Sequence, residues 1–159
     1  MDNRKNILSA LKVKSSRFNI PVALSDAIIC QESGYEQWRA RFEKKRNVFQ
    51  IPDKYSKLNR ISLDTEIQLQ RFSFGLFQIL GSTARWLGYN ACLTQLCDIE
   101  TNLYWGLKYL EKLSSRYTLR DDIIAAYNAG SALKKADGSY ENQDYVNGVN
   151  AFIAANKLS

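Results

Sequence analysis

The segment 21–32 constrains the fold more than any other part of this chain. It reads Pro-Val-Ala-Leu-Ser-Asp-Ala-Ile-Ile-Cys-Gln-Glu, and a helix of this sequence is apolar on nearly every side. Such a helix needs other elements around it, so we predict that it is buried and central. Asn19 is the expected N-cap, Pro21 lies near the first turn, and Ser33-Gly34 is the expected end.

Apolar residues recur at helical spacing through most of the remaining chain, and prolines occur only at positions 21 and 52. We predict helices over residues 3–14, 64–71, 98–113, 118–130 and 142–155. Thr118 is the expected cap of the fourth of these. A short apolar run, 76–80, is expected to end at Gly81, and a short helix capped by Ser82-Thr83 follows it. Residues 35–63 have the least regular pattern.

The length of 159 residues is close to that of one domain. The fold class that we predict is a single, mainly α domain over residues 1–159, with at most a small irregular β or loop region. Cys30, Cys92 and Cys97 lack CxxC spacing, so we expect buried free thiols rather than a disulfide framework.

The chain contains no histidine, which excludes a Ser-His-Asp triad, a Cys-His dyad and any zinc site with histidine ligands. Acid–base chemistry near neutral pH must then come from a carboxylate, Lys, Tyr or Cys with a shifted pKa. We expect neither a metal nor an organic cofactor.

The charge balance is basic, with 22 Lys and Arg against 16 Asp and Glu. A net charge of +6 favours an anionic partner such as nucleic acid, anionic lipid or an acidic cell-wall polymer. The densest basic run, 39–46, fits either a solvated helix face or a polyanion-binding patch. No apolar stretch approaches the roughly 18 residues of a transmembrane helix, and the N-terminus lacks the apolar core of a signal peptide. We therefore expect a monomer that is made in the cytoplasm, without stable membrane insertion.

Glu32 is the first candidate for chemistry. It stands at the C-terminal end of the apolar helix, where burial and the negative end of the helix dipole both disfavour the ionised carboxylate. It is therefore either a frayed surface residue or an acid that stays protonated near neutral pH. Gln78, Tyr127 and Tyr145 also adjoin apolar runs, where each could be a capping, core or packing residue. Together with Glu32 they would supply the acid, amide and aromatic surface that a sugar-cleaving groove needs.

These segments, in this order, resemble the lytic transglycosylase catalytic domain of the lysozyme-like (goose-type/SLT) fold, glycoside hydrolase family 23. The matching motifs are Glu32-Ser33, Gly75-Leu76-Phe77-Gln78, Ala126-Tyr127-Asn128-Ala129-Gly130 and Tyr145-Val146. The resemblance covers about residues 20–153. Phe77 replaces the usual Met, and the gap of 43 residues from Glu32 to Gly75 is longer than usual.

The resemblance implies that the partner is a peptidoglycan glycan strand, cut between N-acetylmuramic acid and N-acetylglucosamine. The cleavage would be non-hydrolytic and lyase-type and would give a 1,6-anhydro product, with Glu32 as general acid and then as general base. Tyr127 would hydrogen-bond near Glu32 and help to set its protonation. The implied substrate-binding residues are Ser33, Ser73, Gln78, Tyr127, Asn128 and Tyr145.

Two other functions stay open. A hydrolytic muramidase on the same fold would need a second carboxylate to activate water, for which Glu43 or Asp64 is available; the inserted region also holds Glu36 and Glu66. A non-catalytic wall-binding or virion structural protein is the other alternative, although it would not need Glu32. No motif supports nucleic-acid binding.

The residues of the insertion also bear on origin. Trp38-x-x-Arg41-Phe42-Glu43 is similar to a segment in lytic enzymes of phages and mobile elements. A wall substrate combined with the lack of a signal peptide favours a bacteriophage endolysin that a holin releases to the wall. A virion-associated enzyme is the alternative.

Overall fold

The computed structural model describes residues 3–46 and 49–156 of the chain. Within these residues the helices are α1 (Asn3–Phe18), α2 (Val22–Ser33), α3 (Pro52–Asn59), α4 (Leu63–Gln70), α5 (Gly81–Trp86), α6 (Ile99–Ser114), α7 (Arg120–Ala129) and α8 (Gln143–Asn156). The strands are β1 (Ala40–Phe42), β2 (Phe72–Phe74) and β3 (Ile79–Leu80), and a 3₁₀ turn covers Leu93–Cys97. The predicted mainly α fold class with a small β region is confirmed.

Helix α2 is buried along most of its length, as its apolar sequence predicts. It packs against α1 on one side and α8 on the other, and α6 joins α1 to α7. Ala27, Ile28 and Ile29 are completely buried. Because burial of one large aliphatic side chain contributes about 1.5–3 kcal/mol, this helix anchors the core.

The two ends of α2 differ from each other in how well the sequence predicts them. Asn19 is not the N-cap, because it has a left-handed φ of 52° and Pro21 holds the cap position without a side-chain hydrogen bond. The C-terminal end is as predicted: Gly34 has a left-handed φ of 62°, and its N–H donates to the Cys30 carbonyl at 3.0 Å. This stop places Glu32 in the last turn of the helix.

The region 35–63 is more regular than its sequence indicates. Its first half holds β1, which pairs antiparallel with β2, and β2 pairs in turn with β3. Arg41 lies opposite Ser73, and Ser73 lies opposite Leu80. All three residues of β1 are exposed, so the strand has no alternation of apolar and polar residues that sequence reasoning could find. Pro52 begins α3 at a position where helices accept proline.

The remaining comparisons between the predicted and the observed structure concern the residues at the ends of helices. The side chains of Ser62 and Asp98 cap α4 and α6, since each accepts from the N–H of the third residue after it. The run 76–80 ends before Gly81, as predicted, and Gly81 is the first residue of α5. A Cβ at Gly81 would lie 2.4 Å from the Leu69 carbonyl oxygen, so this position needs glycine. The predictions of Thr118, Ser82 and Thr83 as caps are wrong: Leu119 precedes α7 and Leu80 precedes α5, both without a side-chain bond.

A completely buried ion pair holds α3, α4 and α5 together. Arg85 Nε and Nη2 donate to the two carboxylate oxygens of Glu66 at 2.8 and 2.9 Å. Arg85 Nη1 donates to the carbonyls of Tyr89 and Ala91, both at 2.8 Å. The Tyr55 ring lies 4.3 Å from the guanidinium carbon. We call this group the Arg85 cluster.

The three cysteines are free thiols, which agrees with the sequence prediction, although only Cys97 is fully buried. Among residues 3–46 and 49–156, no helix has both the length and the apolar character that crossing a bilayer requires.

Candidate active site

A cleft of about 230 Å³ opens where the end of α2 meets the sheet, α6 and α7. It is strongly polar. Its charged and polar lining residues are Glu32, Arg41, Glu43, Arg46, Ser73, Gln78, Thr83 and Asn128, and its aromatic ones are Tyr109 and Tyr127. Six of these were predicted from the sequence as substrate-binding or catalytic residues, namely Glu32, Glu43, Ser73, Gln78, Tyr127 and Asn128.

Glu32 lies in this cleft with its side chain nearly covered, at 8% exposure. Its described hydrogen bond is to Tyr145, whose hydroxyl donates to Oε1 at 2.7 Å. Burial raises the pKa of Glu32, and the nearby Glu43 carboxylate adds to this increase. The Tyr145 hydrogen bond and the Arg41 and Arg39 charges act in the opposite direction without cancelling it.

The two tyrosines have different partners. The Tyr127 hydroxyl donates to the Phe77 carbonyl at 2.8 Å, so the prediction that it hydrogen-bonds at Glu32 is replaced by a bond from Tyr145. Tyr127 is buried beside the cleft, and burial raises its pKa well above the ordinary value. Burial also raises the pKa of Tyr145, so this phenol stays protonated near neutral pH and can donate to Glu32.

Gln78 lines the cleft, and hydrogen bonds fix the orientation of its side-chain amide. Its Nε2 donates to the carbonyls of Arg39 and Gly75 at 3.0 and 2.9 Å, which fixes the orientation of the amide, since only the nitrogen can donate. Its Oε1 is buried without a hydrogen-bond partner among the described residues. The backbone of Gln78 has a left-handed φ of 47°, a strained conformation for a residue with a side chain.

Asn102 holds the turn that carries Gln78, and the sequence analysis did not find it. Its Nδ2 donates to the carbonyls of Phe74 and Leu96 at 2.9 and 2.6 Å, and its Oδ1 accepts from the Phe77 N–H at 2.8 Å. A Cβ at Gly75 would lie 2.3 Å from Asn102 Nδ2, so the turn requires glycine there. The sequence did contain one signal for this role, because Asn102 is a polar residue among the buried apolar residues of α6.

Phe77, which replaces the methionine of the family pattern, fits because α6 offers it space. A Cβ at Gly106 would lie 2.2 Å from the Phe77 ring. The ring is completely buried and lies 6.3 Å from the Tyr127 ring, centroid to centroid. The aromatic substitution is therefore accommodated beneath the cleft instead of within it.

Glu43 is the second carboxylate of the cleft. Its Oε1 accepts from Arg41 Nε at 2.7 Å and from the Ser73 hydroxyl at 3.1 Å. The antiparallel register of β1 and β2 brings these three side chains together. Asp64, the other candidate, is exposed in the first turn of α4 and does not line the cleft.

Ser33 and Asn128 complete the predicted set. The Ser33 hydroxyl donates to the Ile29 carbonyl at 3.1 Å, and the side chain is buried away from the cleft lining. Its carbonyl accepts from Arg39, so this residue joins α2 to the segment before β1. Asn128 does line the cleft, and Asn142 donates to its Oδ1 at 3.0 Å.

Tyr109, Arg46 and Thr83 are cleft residues for which the sequence provided no specific signal. The Tyr109 ring lies 5.2 Å from that of Tyr127, centroid to centroid, and burial raises its pKa. Arg46 and Thr83 come from separate elements, the segment after β1 and α5. Only the tertiary structure brings these three together.

Comparison with known proteins assigns the family. No curated protein and no solved structure matches this chain. A family model described as "Transglycosylase SLT domain" matches residues 9–147, which is most of the chain and includes every residue of the cleft. The chain therefore belongs to the transglycosylase SLT domain family, whose members act on peptidoglycan.

Proposed function

We propose that this protein is a lytic transglycosylase that cleaves the β-1,4 bond between N-acetylmuramic acid and N-acetylglucosamine and forms a 1,6-anhydro-muramyl end. The observation that carries the proposal is Glu32, a nearly buried carboxyl group with a raised pKa in a polar cleft. A general acid for glycosidic cleavage must hold its proton near neutral pH, and burial supplies this property.

Glu32 acts twice in the proposed reaction. Its carboxyl first gives its proton to the glycosidic oxygen while the bond to the muramyl C1 breaks, with assistance from the 2-acetamido group. The resulting carboxylate then takes the proton of the muramyl C6 hydroxyl, whose oxygen forms the new bond to C1. The proton count closes on Glu32, and no water is consumed.

The neighbouring groups have separate parts in this proposal. Tyr145 donates to Oε1 of Glu32, which positions the carboxyl and supports its ionised form after the first step. Gln78 contacts the sugar as part of the cleft lining, while its amide nitrogen stays bonded to the Arg39 and Gly75 carbonyls. Ser73 and Asn128 contribute further polar surface at the two sides of the cleft.

Hydrolysis is the second candidate, because Glu43 shares the cleft with Glu32. A muramidase would use this carboxylate to activate water. The hydrogen bonds from Arg41 and Ser73 both go to the Oε1 of Glu43, so its Oε2 is the oxygen that would accept the proton of the water. Of the two carboxylates that the sequence offered for this role, Asp64 lies outside the cleft lining.

Product analysis of purified peptidoglycan tests the proposal. Mass spectrometry should find anhydro-muramyl ends with wild type, and Glu32→Gln should lower the rate by about 10²–10⁴-fold while the fold is retained. Glu111→Gln, an exposed neutralisation on α6, is the matched control and should keep full activity. Reducing ends that have gained water would show a hydrolase. A Glu32→Gln rate above half that of wild type would show that Glu32 is not the acid.

We further propose an endolysin role for this domain. Its support is the segment Trp38-x-x-Arg41-Phe42-Glu43, which is similar to one in phage lytic enzymes and supplies Arg41 and Glu43 to the cleft. Expression in bacteria should cause lysis only when a holin is co-expressed. Lysis without the holin, or protein found only in purified virions, would contradict this role.

A further inference from the structure

A second, wider cavity opens from the cleft and has a different chemical character. It has a volume of about 430 Å³ and shares Thr83, Tyr109 and Gly130 with the cleft. We call it the side arm. Its remaining lining residues are Trp86, Lys112, Leu113, Ser115 and Arg116. Because the two cavities share three lining residues, the side arm adjoins the cleft that holds Glu32.

The side arm is cationic. Lys112 and Arg116 are exposed at the C-terminal end of α6, and neither forms an ion pair with a described carboxylate. No carboxylate is among the described residues that line the arm, and the neighbouring Glu111 does not line it. The dipole of α6 also directs negative potential to this end, which stabilises both cations at their positions.

An exposed aromatic side chain lies beside these cations. Trp86 is 51% exposed at the end of α5, and Lys112 Nζ lies 5.9 Å from its ring centroid. The arm thus pairs flat apolar surface with two cations free to bind an anion. A short peptide with free carboxylates matches both properties, and the volume is within the usual range for ligand sites.

We propose that the side arm binds the carboxylate-bearing peptide stem of peptidoglycan and makes cleavage favour stem-bearing strands. This inference rests on the proposed function, since a muramyl substrate at Glu32 places its stem beside the scissile bond. The sugars themselves are uncharged, whereas the stem carries free carboxylates. The charge of the arm therefore fits the stem better than it fits the glycan.

The test compares two substrates with one pair of variants. Lys112→Gln/Arg116→Gln should lower kcat/KM on stem-bearing peptidoglycan by about tenfold. The same variant should change cleavage of amidase-treated, stem-free glycan less than twofold. Lys5→Gln/Lys12→Gln removes two exposed charges from α1, away from both cavities, and should change neither rate. An equal loss on both substrates, or no loss on either, would overturn the proposal.

A binding measurement separates this proposal from the proposed function. Isothermal titration of wild type with the free stem peptide should show binding that weakens about tenfold in Lys112→Gln/Arg116→Gln and weakens with added salt. If wild type binds the peptide but cleaves neither substrate, the proposed function fails and the arm proposal stands. If the peptide does not bind, or only a polyol-phosphate wall polymer binds, the arm proposal fails.

Discussion

Glu32 and Glu66 are both buried carboxylates, yet their surroundings are opposite. Glu66 is completely covered, and the Arg85 guanidinium meets both of its oxygens at 2.8 and 2.9 Å. Glu32 is 8% exposed, receives a neutral phenol at 2.7 Å, and forms no ion pair with a described residue. Burial is thus compensated by an opposite charge in one region and by a single neutral donor in the other.

The difference separates a structural carboxylate from the one that we propose as the general acid. A fully paired carboxylate stabilises its surroundings as long as its partner stays, and removal of one partner leaves a buried charge alone. A buried carboxyl group without a cation keeps its proton more readily and so suits proton transfer, at a cost to stability when it ionises. The Arg85 cluster lies between α3, α4 and α5, whereas Glu32 lines the open cleft.

The largest effect on stability is expected from Glu66→Gln. Loss of the negative charge leaves Arg85 buried without its ionic partner, which should lower the free energy of unfolding by about 3–5 kcal/mol. Urea denaturation followed by circular dichroism measures it. Glu66→Leu/Arg85→Met removes both charges and should recover most of the loss. If the double variant is no more stable than Glu66→Gln, the pair is not the reason for the destabilisation.

This pair also shows what sequence reasoning could not reach. Glu66 was visible only as one of several carboxylates in the long insertion, and nothing within its own helix indicates Arg85, 19 residues later. Periodicity identifies which face of a helix is buried, but it cannot identify the partner of a buried polar group. The three exposed residues of β1 were missed for the same reason, because their pairing with β2 is a tertiary property.

The predictions that hold depend on local signals. The apolar sequence of α2 and the stop at Gly34 place Glu32 at a buried helix end, and the structure confirms both. The hydrogen-bond partner of Glu32 could not be predicted in this way. It is Tyr145, which lies 113 positions later in the chain and is brought to Glu32 by the packing of α8 against α2. The family pattern includes both tyrosines, but their hydrogen bonds are distinguishable only in three dimensions.

Tyr145→Phe should have an intermediate effect, on activity instead of fold. Without the phenol the Glu32 pKa should rise further, because this hydrogen bond lowers it. The basic limb of the kcat/KM profile reports loss of the protonated acid, so it should move to higher pH. The maximal rate should fall about tenfold, since the carboxyl loses its positioning contact.

Tyr127→Phe is the matched control for that variant. It also removes a buried phenol hydroxyl, but one that donates to the Phe77 carbonyl and not to Glu32. It should lower stability by about 1 kcal/mol through the lost hydrogen bond and leave the basic limb where it is. Equal movement of the limb in both variants would mean that Tyr145 acts on Glu32 only through general packing.

The smallest expected effect concerns stability at Glu32, the proposed general acid. Glu32 has a raised pKa in the folded protein, so between its ordinary value of about 4.5 and that higher pKa the unfolded chain releases the proton first. Wild type should therefore lose stability as the pH rises through this window, whereas Glu32→Gln has no such proton to release. At neutral pH the variant should be more stable by roughly 0.5–2 kcal/mol, and at pH 4 the gap should nearly close.

Urea denaturation at both pH values measures the gap, with Glu111→Gln as a control that should show none. A gap that stays constant or reverses would mean that the environment of Glu32 accommodates the ionised carboxylate, which would remove the contrast with Glu66.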